Sequence, residues 1–231
     1  MADDGGRLAP LIAVVGCDGA GKSTLATDLV QVLGAERRVA SAYLGLGSGG
    51  IGQRIRALPL VGPALERPLA SRAARTRTNG GRIPGLATAL VVYGFSLLRR
   101  RRFARVLALR RADTTVVTDR YPQVEVPGFY DGPGLGAATA GSPAVAGLAG
   151  RERRMYERMA AYRPTLVIRL NVDLATAHAR KPDHDPALLA RKIEATGRLT
   201  FGGARIVDLD ARAPYAAVRQ AALEAVRAAL D

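Results

Sequence analysis

The 231-residue chain has no tryptophan, only one cysteine and only three lysines. The single cysteine, Cys17, excludes an internal disulfide and fits a reducing compartment. The most apolar window, residues 86–98, is too short to span a bilayer, and the first six residues carry no basic region typical of a secretory signal. We therefore expect a cytoplasmic protein without a transmembrane segment. With 48% hydrophobic residues the chain can bury a full core, which excludes a disordered protein.

Acidic residues are also scarce, since 20 of them stand against 34 basic residues and leave a net charge of +14. Most of this excess lies in residues 54–111, which hold 14 arginines and a single acid, Glu66. An evenly basic surface would favour nucleic acid as the partner, whereas charge concentrated in one segment favours a local anionic ligand. We therefore expect a small anionic molecule rather than nucleic acid. The choice between a monomer and a homodimer stays open.

Apolar runs alternate with helical patterns along the chain, which is typical of an α/β fold with a parallel sheet. The five predicted strands lie at residues 8–15, 38–44, 114–119, 164–172 and 204–209. The predicted helices lie at residues 22–34, 85–111, 151–162, 173–180 and 186–197 and at the C-terminal end, with short helices on loops in residues 45–84. A break of the second of these helices near Gly94 is left open.

Residues 122–148 are predicted to form a long irregular loop, because 10 of these 27 residues are glycine or proline. No internal repeat and no linker divides the sequence, so we predict one domain over residues 1–231.

A glycine-rich turn follows the first predicted strand and matches the G-x-x-x-x-G-K-[ST] motif. Its glycines let backbone N–H groups point at phosphate oxygens, and the N-terminus of the following helix adds positive charge. We expect Lys22 to reach the β- and γ-phosphates and the Ser23 hydroxyl to hold Mg²⁺. The motif therefore predicts that ATP or GTP binds to residues 16–24, which are Gly16, Cys17, Asp18, Gly19, Ala20, Gly21, Lys22, Ser23 and Thr24.

An acid and an arginine stand at the end of the third predicted strand, where open parallel sheets bind ligands. The Asp119 carboxylate could hold Mg²⁺ through water or orient an acceptor oxygen, and Arg120 could bind an anion through two N–H groups. The alternative is that Asp119 only caps the turn before Tyr121 and Pro122.

Three stretches together resemble the thymidylate kinase family of nucleoside monophosphate kinases. They are the glycine-rich loop at residues 16–24, Thr118–Tyr121 after a strand, and Pro164–Asp173 followed by Arg180. The likeness covers residues 10–44 and 100–231. It implies a single-domain P-loop NTPase fold with a five-stranded parallel sheet flanked by helices, and a P-loop kinase that uses ATP and Mg²⁺.

The resemblance also implies roles for individual residues. Asp18 approaches the hydroxyl of the acceptor sugar, and Asp119 and Arg120 serve the catalytic centre and the acceptor, with Tyr121 beside them. A lid arginine after the fourth strand stabilises the transferring phosphoryl group.

Gly19 stands where some relatives carry an arginine in the loop, so the catalytic cation must come from elsewhere, and the resemblance implies the lid. We predict the lid at residues 180–197, with four candidate cations in Arg180, Lys181, Arg191 and Lys192. We favour Arg180 because it follows the strand as the family's lid arginine does. A solvated helix face is the alternative for each of the four.

The acceptor side, residues 45–111, departs from the family, because its Arg-Glu-Pro segment and its Asp-Arg-x-x-His stretch are both missing. One of the consecutive arginines, Arg99, is the candidate for binding an acceptor phosphate. Asp131, next to Phe129 and Tyr130, could bind a base or a sugar, with loop packing as the alternative.

We predict transfer of the γ-phosphoryl group of Mg-ATP to a thymidylate-like nucleoside monophosphate. Two alternatives stay open. The first is a small-molecule kinase that phosphorylates a hydroxyl of a nucleoside, a sugar or a similar metabolite. The second is an ATP-dependent protein that binds nucleic acid or an anionic membrane through its arginines.

Overall fold

The computed structural model describes residues 8–45, 85–128, 131–137 and 142–230. Two compact units are formed by the chain. The first, called the sheet unit, comprises Met1–Leu44, Arg101–Tyr121 and Tyr162–Asp231. The second, called the helical unit, comprises Gly45–Arg100 and Pro122–Ala161. The single domain over residues 1–231 stays a prediction.

Five parallel strands form one sheet within the described part of the sheet unit. They are β1 (Leu11–Gly16), β2 (Val39–Tyr43), β3 (Thr115–Asp119), β4 (Leu166–Asn171) and β5 (Ile206–Asp210). Their order is β2-β3-β1-β4-β5, and every neighbouring pair is parallel. β1 and β3 are buried along their whole length, which agrees with apolar, β-branched sequences that show no alternation.

Six α-helices occur in the described residues. They are α1 (Lys22–Leu33), α2 (Leu86–Arg111), α3 (Pro143–Ala160), α4 (Leu174–Arg180), α5 (Pro186–Arg198) and α6 (Tyr215–Leu230). α1 and α6 contact each other and the strands, and each buries apolar residues four positions apart. The predicted fold class, α/β with a five-stranded parallel sheet flanked by helices, is therefore confirmed.

The prediction of an irregular loop through residue 148 is wrong, because α3 already begins at Pro143. The Ser142 hydroxyl caps this helix by accepting a hydrogen bond from the Val145 N–H. Proline is well tolerated at the first helical position, where no N–H bond is needed. The glycines at positions 147 and 150 have a low helix propensity, so the sequence does not indicate the first two turns of this helix.

α2 runs through Gly94 without a break. One glycine in a helix costs only about 1 kcal/mol relative to alanine, and the burial of Val92 and Ser96 on either side holds the helix in place. The predicted short helices of residues 45–84 lie outside the described residues.

The described part of the helical unit is built on the first half of α2, a 3₁₀ turn at Leu135–Ala137 and α3. Its apolar core consists of Ala89, Val92, Leu135 and Val145. Among the residues that the structure describes, no helix of either unit is long and apolar enough to cross a membrane.

Candidate functional site

The glycine-rich loop connects β1 to α1 and requires glycine at its turning points. A Cβ atom at Gly16 would lie 2.7 Å from the carbonyl oxygen of Leu170, closer than side chains tolerate. Gly21 is the N-cap of α1 and has a left-handed φ of 89°. Gly21 has no side chain with which to cap the first N–H groups of α1, and such an uncapped helix N-terminus is suited to binding an anion.

Lys22 folds over this loop rather than into solvent. Its side chain is 6% exposed, and its Nζ donates a hydrogen bond of 2.7 Å to the carbonyl oxygen of Cys17. Burial raises the pKa of the Cys17 thiol and outweighs the opposite effect of the Lys22 charge. The raised pKa keeps the Cys17 thiol protonated at neutral pH, and its Sγ donates to the Asp18 carbonyl oxygen at 3.1 Å.

Ser23 and Asp119 form a hydroxyl–carboxylate pair at the carboxyl ends of the strands. The Ser23 hydroxyl donates a hydrogen bond of 2.5 Å to Oδ2 of Asp119. The other oxygen, Oδ1, is buried and has no hydrogen-bond partner among the described residues. A buried carboxylate oxygen without a partner is costly, and a hydrated cation would satisfy it. The two side chains are of the types that hold Mg²⁺ in P-loop enzymes, so they fit this ion.

Asp18 binds basic side chains from three parts of the sheet unit. Nη2 of Arg120 lies 3.0 Å from Oδ1, while Oδ2 accepts a hydrogen bond from Nζ of Lys192. Nε2 of His184 lies 3.9 Å from the same Oδ2. One carboxylate of the loop therefore joins the end of β3 to the segment that contains α5.

Burial on its own raises the pKa of the Asp18 carboxyl. The charge and hydrogen bond of Lys192, followed by the charges of Arg120 and Lys22, outweigh burial and hold this pKa well below its usual range. Asp18 is therefore ionised at neutral pH.

The backbone of Arg120 has a positive φ of 75°, which is unusual for a residue other than glycine. Its N–H donates a hydrogen bond of 3.0 Å to the Val14 carbonyl oxygen, so β1 helps to fix this conformation. Positive φ values outside glycine often occur at functional positions.

The predicted lid, residues 180–197, begins at the last residue of α4 and contains the following turn and all of α5 but its last residue. Asp173 caps α4 by accepting a hydrogen bond from the Thr176 N–H, and Asp185 caps α5 in the same way from the Ala187 N–H. These caps agree with the helix starts that the sequence indicates.

Arg180 and Lys192, two of the candidate lid cations, contact the glycine-rich loop. Arg180 donates hydrogen bonds to the carbonyl oxygens of Gly19, at 3.2 Å, and Ala211, at 3.0 Å. Lys192 binds Asp18 as described above. The side chains of Lys181 and Arg191 are exposed.

Sequence reasoning missed Arg169, whose only signal is a charge inside an apolar strand. Its guanidinium pairs with Asp208 through two hydrogen bonds of 2.6 and 2.8 Å, which raises the pKa of Arg169. Nη1 also donates to three carbonyl oxygens at the C-terminal end of α5, those of Thr196, Gly197 and Leu199. Arg169 thus fixes the end of the helix that carries Lys192.

Arg99 and Asp131, both predicted to bind the acceptor, bind each other in the helical unit. Arg99 is fully buried, and its Nη2 forms a salt bridge with the Asp131 carboxylate. Its Nη1 donates hydrogen bonds to the carbonyl oxygen of Asp131, at 2.7 Å, and to the Tyr156 hydroxyl, at 3.0 Å. Phe129 and Tyr130, mentioned beside Asp131, lie outside the described residues.

Tyr121 of the sheet unit is 1% exposed and contacts the rings of Phe103 and Phe201. Its hydroxyl donates to the Tyr162 carbonyl oxygen, and burial raises its pKa well above the usual range. This is the placement of a core side chain, and its role at the acceptor stays a prediction.

Two curated proteins of Escherichia coli K12 are similar to the chain over nearly its whole length. ATP-binding protein YghR, described as uncharacterized, is 48% identical over 217 residues, which cover 94% of this chain and 86% of YghR. The likewise uncharacterized ATP-binding protein YghS is 47% identical over 222 residues, which cover 96% of this chain and 94% of YghS. The chain belongs to the YghR/YghS family. No family model matches this member of the YghR/YghS family.

A solved structure extends the comparison to the fold. The deoxyadenosine kinase from M. mycoides with bound dATP matches with a TM-score of 0.53 and 13% identity, over 96% of this chain and 100% of that one. At this identity the match concerns the fold alone, and it confirms the predicted P-loop NTPase fold for this chain. The comparisons thus give relatives that are named ATP-binding proteins and a kinase-like fold, and the resemblance to the thymidylate kinase family stays a prediction.

Proposed function

We propose that the protein binds ATP with Mg²⁺ at residues 16–24 and transfers the γ-phosphoryl group to a small-molecule acceptor. One observation carries this proposal. In the sheet unit, a phosphate-binding loop, the Ser23–Asp119 pair and the basic side chains around Asp18 come together at the carboxyl ends of parallel strands. The ATP-binding names of YghR and YghS and the nucleoside kinase fold support it.

On the nucleotide side, the N–H groups at the start of α1 bind phosphate oxygens, and Lys22 exchanges the Cys17 carbonyl for the β- and γ-phosphates. Ser23 and Asp119 would hold Mg²⁺, which when bound neutralises charge on the same phosphates. Arg180, fixed by the Gly19 carbonyl, is the lid cation that we place nearest the transferring group.

On the acceptor side, Asp18 and Arg120 position the attacking oxygen. Asp18 is ionised and can accept a hydrogen bond from an acceptor hydroxyl, while Arg120 fixes the orientation of the carboxylate through Oδ1. The acceptor oxygen forms a bond to the γ-phosphorus as the bond from that phosphorus to the β,γ-bridging oxygen breaks, and ADP leaves with the bridging oxygen. An acceptor hydroxyl gives its proton to the Asp18 carboxylate, which passes it to solvent. Most of the rate enhancement then comes from positioning and charge neutralisation.

The resemblance to thymidylate kinases supports a nucleoside monophosphate as the acceptor. The Arg99–Asp131 pair favours a second candidate, a hydroxyl of a nucleoside, a sugar or a similar metabolite. An arginine that is already bonded to a carboxylate has less positive charge to offer an acceptor phosphate, and Arg99 is buried as well.

Titration calorimetry of Mg-ATP binding tests the nucleotide side of the proposal. Lys22→Met keeps the length of the side chain and removes its charge, so we expect ATP affinity to fall about 10- to 100-fold, the worth of one or two charge-assisted hydrogen bonds. Arg153→Met on α3, where the side chain is exposed, is the control and should bind like the wild type. Wild-type affinity in the Lys22 variant would contradict the proposal.

A further inference from the structure

Asp18 is the one anionic side chain in residues 16–24, the loop proposed to bind the triphosphate. Its two carboxylate oxygens have different partners. Oδ1 is bound by Arg120, whose backbone is held by β1, whereas Oδ2 is bound by Lys192 of α5 and lies near His184. The Oδ1 contact is therefore fixed by the sheet, and the Oδ2 contacts come from the predicted lid.

The Lys192–Asp18 pair is partly buried, with 25% of the lysine side chain and 16% of the aspartate side chain exposed. A partly buried ion pair is screened less than a surface pair, but it can still exchange partners when a stronger anion arrives. The lysine ammonium suits such an exchange, because it is a point charge on a flexible four-carbon stem with three donors. Arg120 has a rigid, planar guanidinium group and a strained backbone, so it stays bound to Asp18 while Lys192 changes partner.

We propose that Asp18 acts as an internal anion that holds Lys192 of the lid until the phosphates of the nucleotide replace it. This inference rests on the proposed function and adds regulation to the same site. Lys192 binds the Asp18 carboxylate first and the triphosphate afterwards. His184 is a second residue of the lid that contacts Asp18.

The exchange also prepares the acceptor side. Once Lys192 has moved to the phosphates, Oδ2 of Asp18 is available to accept a hydrogen bond from an acceptor hydroxyl, while Arg120 still holds Oδ1. Nucleotide binding therefore favours acceptor binding, and by linkage acceptor binding favours the nucleotide. One carboxylate oxygen with two successive partners is enough to couple the two substrates.

A double-mutant cycle on Mg-ATP binding, measured by titration calorimetry without an acceptor, tests the exchange. Asp18→Asn has the same shape and releases Lys192, so we expect ATP to bind about three- to tenfold more tightly. In the Lys192→Met background the same Asp18→Asn change should alter ATP affinity less than twofold. Lys192→Arg keeps the charge and should preserve the effect of the Asp18 change.

Two results would overturn the proposal. An equal gain of affinity in both backgrounds would mean that removing any negative charge from the loop favours ATP. Weaker ATP binding by Asp18→Asn, with an unchanged melting temperature, would mean that Asp18 supports the lid in the bound state as well. A wild-type protein that does not bind ATP would instead refute the proposed function, so the two failures can be told apart.

Hydrogen exchange of α5 provides a second measurement that does not depend on affinity. Without nucleotide, the amides of residues 187–192 should exchange several-fold faster in Asp18→Asn than in the wild type, and Mg-ATP should restore their protection. Equal protection of the two proteins without nucleotide would contradict a lid held by Asp18.

Discussion

The hydroxyl of Ser23, in the first turn of α1, donates a hydrogen bond of 2.5 Å to Oδ2 of Asp119, the last residue of β3. The two residues are 96 positions apart in the sequence. They meet because β1 and β3 are neighbours in the sheet and both point their carboxyl ends at the start of α1. Two side chains of the type that Mg²⁺ prefers are thus in direct contact at this edge of the sheet.

Removing the hydroxyl tests this arrangement. Ser23→Ala should raise the Mg²⁺ concentration required for half-maximal turnover about tenfold, because one ligand of the ion is lost. Stability should fall by about 1–2 kcal/mol, because Oδ2 of the buried Asp119 loses its hydrogen-bond partner. Thr27→Ala, one turn further along the same helix, is the matched control, because its hydroxyl bonds only to the Ser23 carbonyl in the described structure. The same Mg²⁺ requirement in both variants would remove Ser23 from the ion site.

Arg180 connects the lid to the glycine-rich loop through the Gly19 carbonyl. If its charge acts on the transferring phosphoryl group, Arg180→Ala should lower kcat about 100-fold and change the dissociation constant of ATP much less. Stopped-flow turnover and equilibrium ATP binding separate these two effects. Weaker ATP binding with an unchanged kcat would move the role to Lys181, Arg191 or Lys192.

Arg169 should matter for stability through the end of α5. Arg169→Met removes hydrogen bonds to three carbonyl oxygens and to Asp208, so we expect unfolding in urea to require about 1–3 kcal/mol less free energy. The amides of residues 196–199 should also lose protection from hydrogen exchange. Arg198→Met is the matched control at the same helix end.

The control side chain is exposed, and its contact with Glu194 is 4.0 Å long. We expect it to cost less than about 0.5 kcal/mol. If the Arg169 and Arg198 variants lower the free energy of unfolding equally, Arg169 contributes no more than an ordinary surface ion pair.

Most of the sheet unit could be predicted from local sequence patterns. β1, the glycine-rich loop and α1 follow one another within residues 11–33, and the strand ending at Asp119 is short and β-branched. Such signals depend only on neighbouring residues, and parallel order follows from alternating strands and helices. The meeting of Ser23 and Asp119 could then be expected from the shared edge of the sheet.

Contacts between side chains that are far apart in the sequence could not be predicted. Lys192 and Asp18 are 174 positions apart, and no local pattern tells which of four lid cations reaches the loop. The role of Arg169 depends on where α5 ends in space. Arg99 and Asp131 were each expected to meet a ligand, because a sequence shows two charges but not that they neutralise each other.

ADP release by the wild-type protein, measured with Mg-ATP against a panel of nucleoside monophosphates, nucleosides and sugars, tests the central claim most directly. We predict that at least one acceptor stimulates ADP release and gains 80 mass units, the mass of one added phosphoryl group (PO₃H), and that Lys22→Met abolishes both signals. ADP release that DNA, RNA or acidic vesicles stimulate, with no phosphorylated small molecule, would contradict the claim and favour an ATP-dependent binding protein.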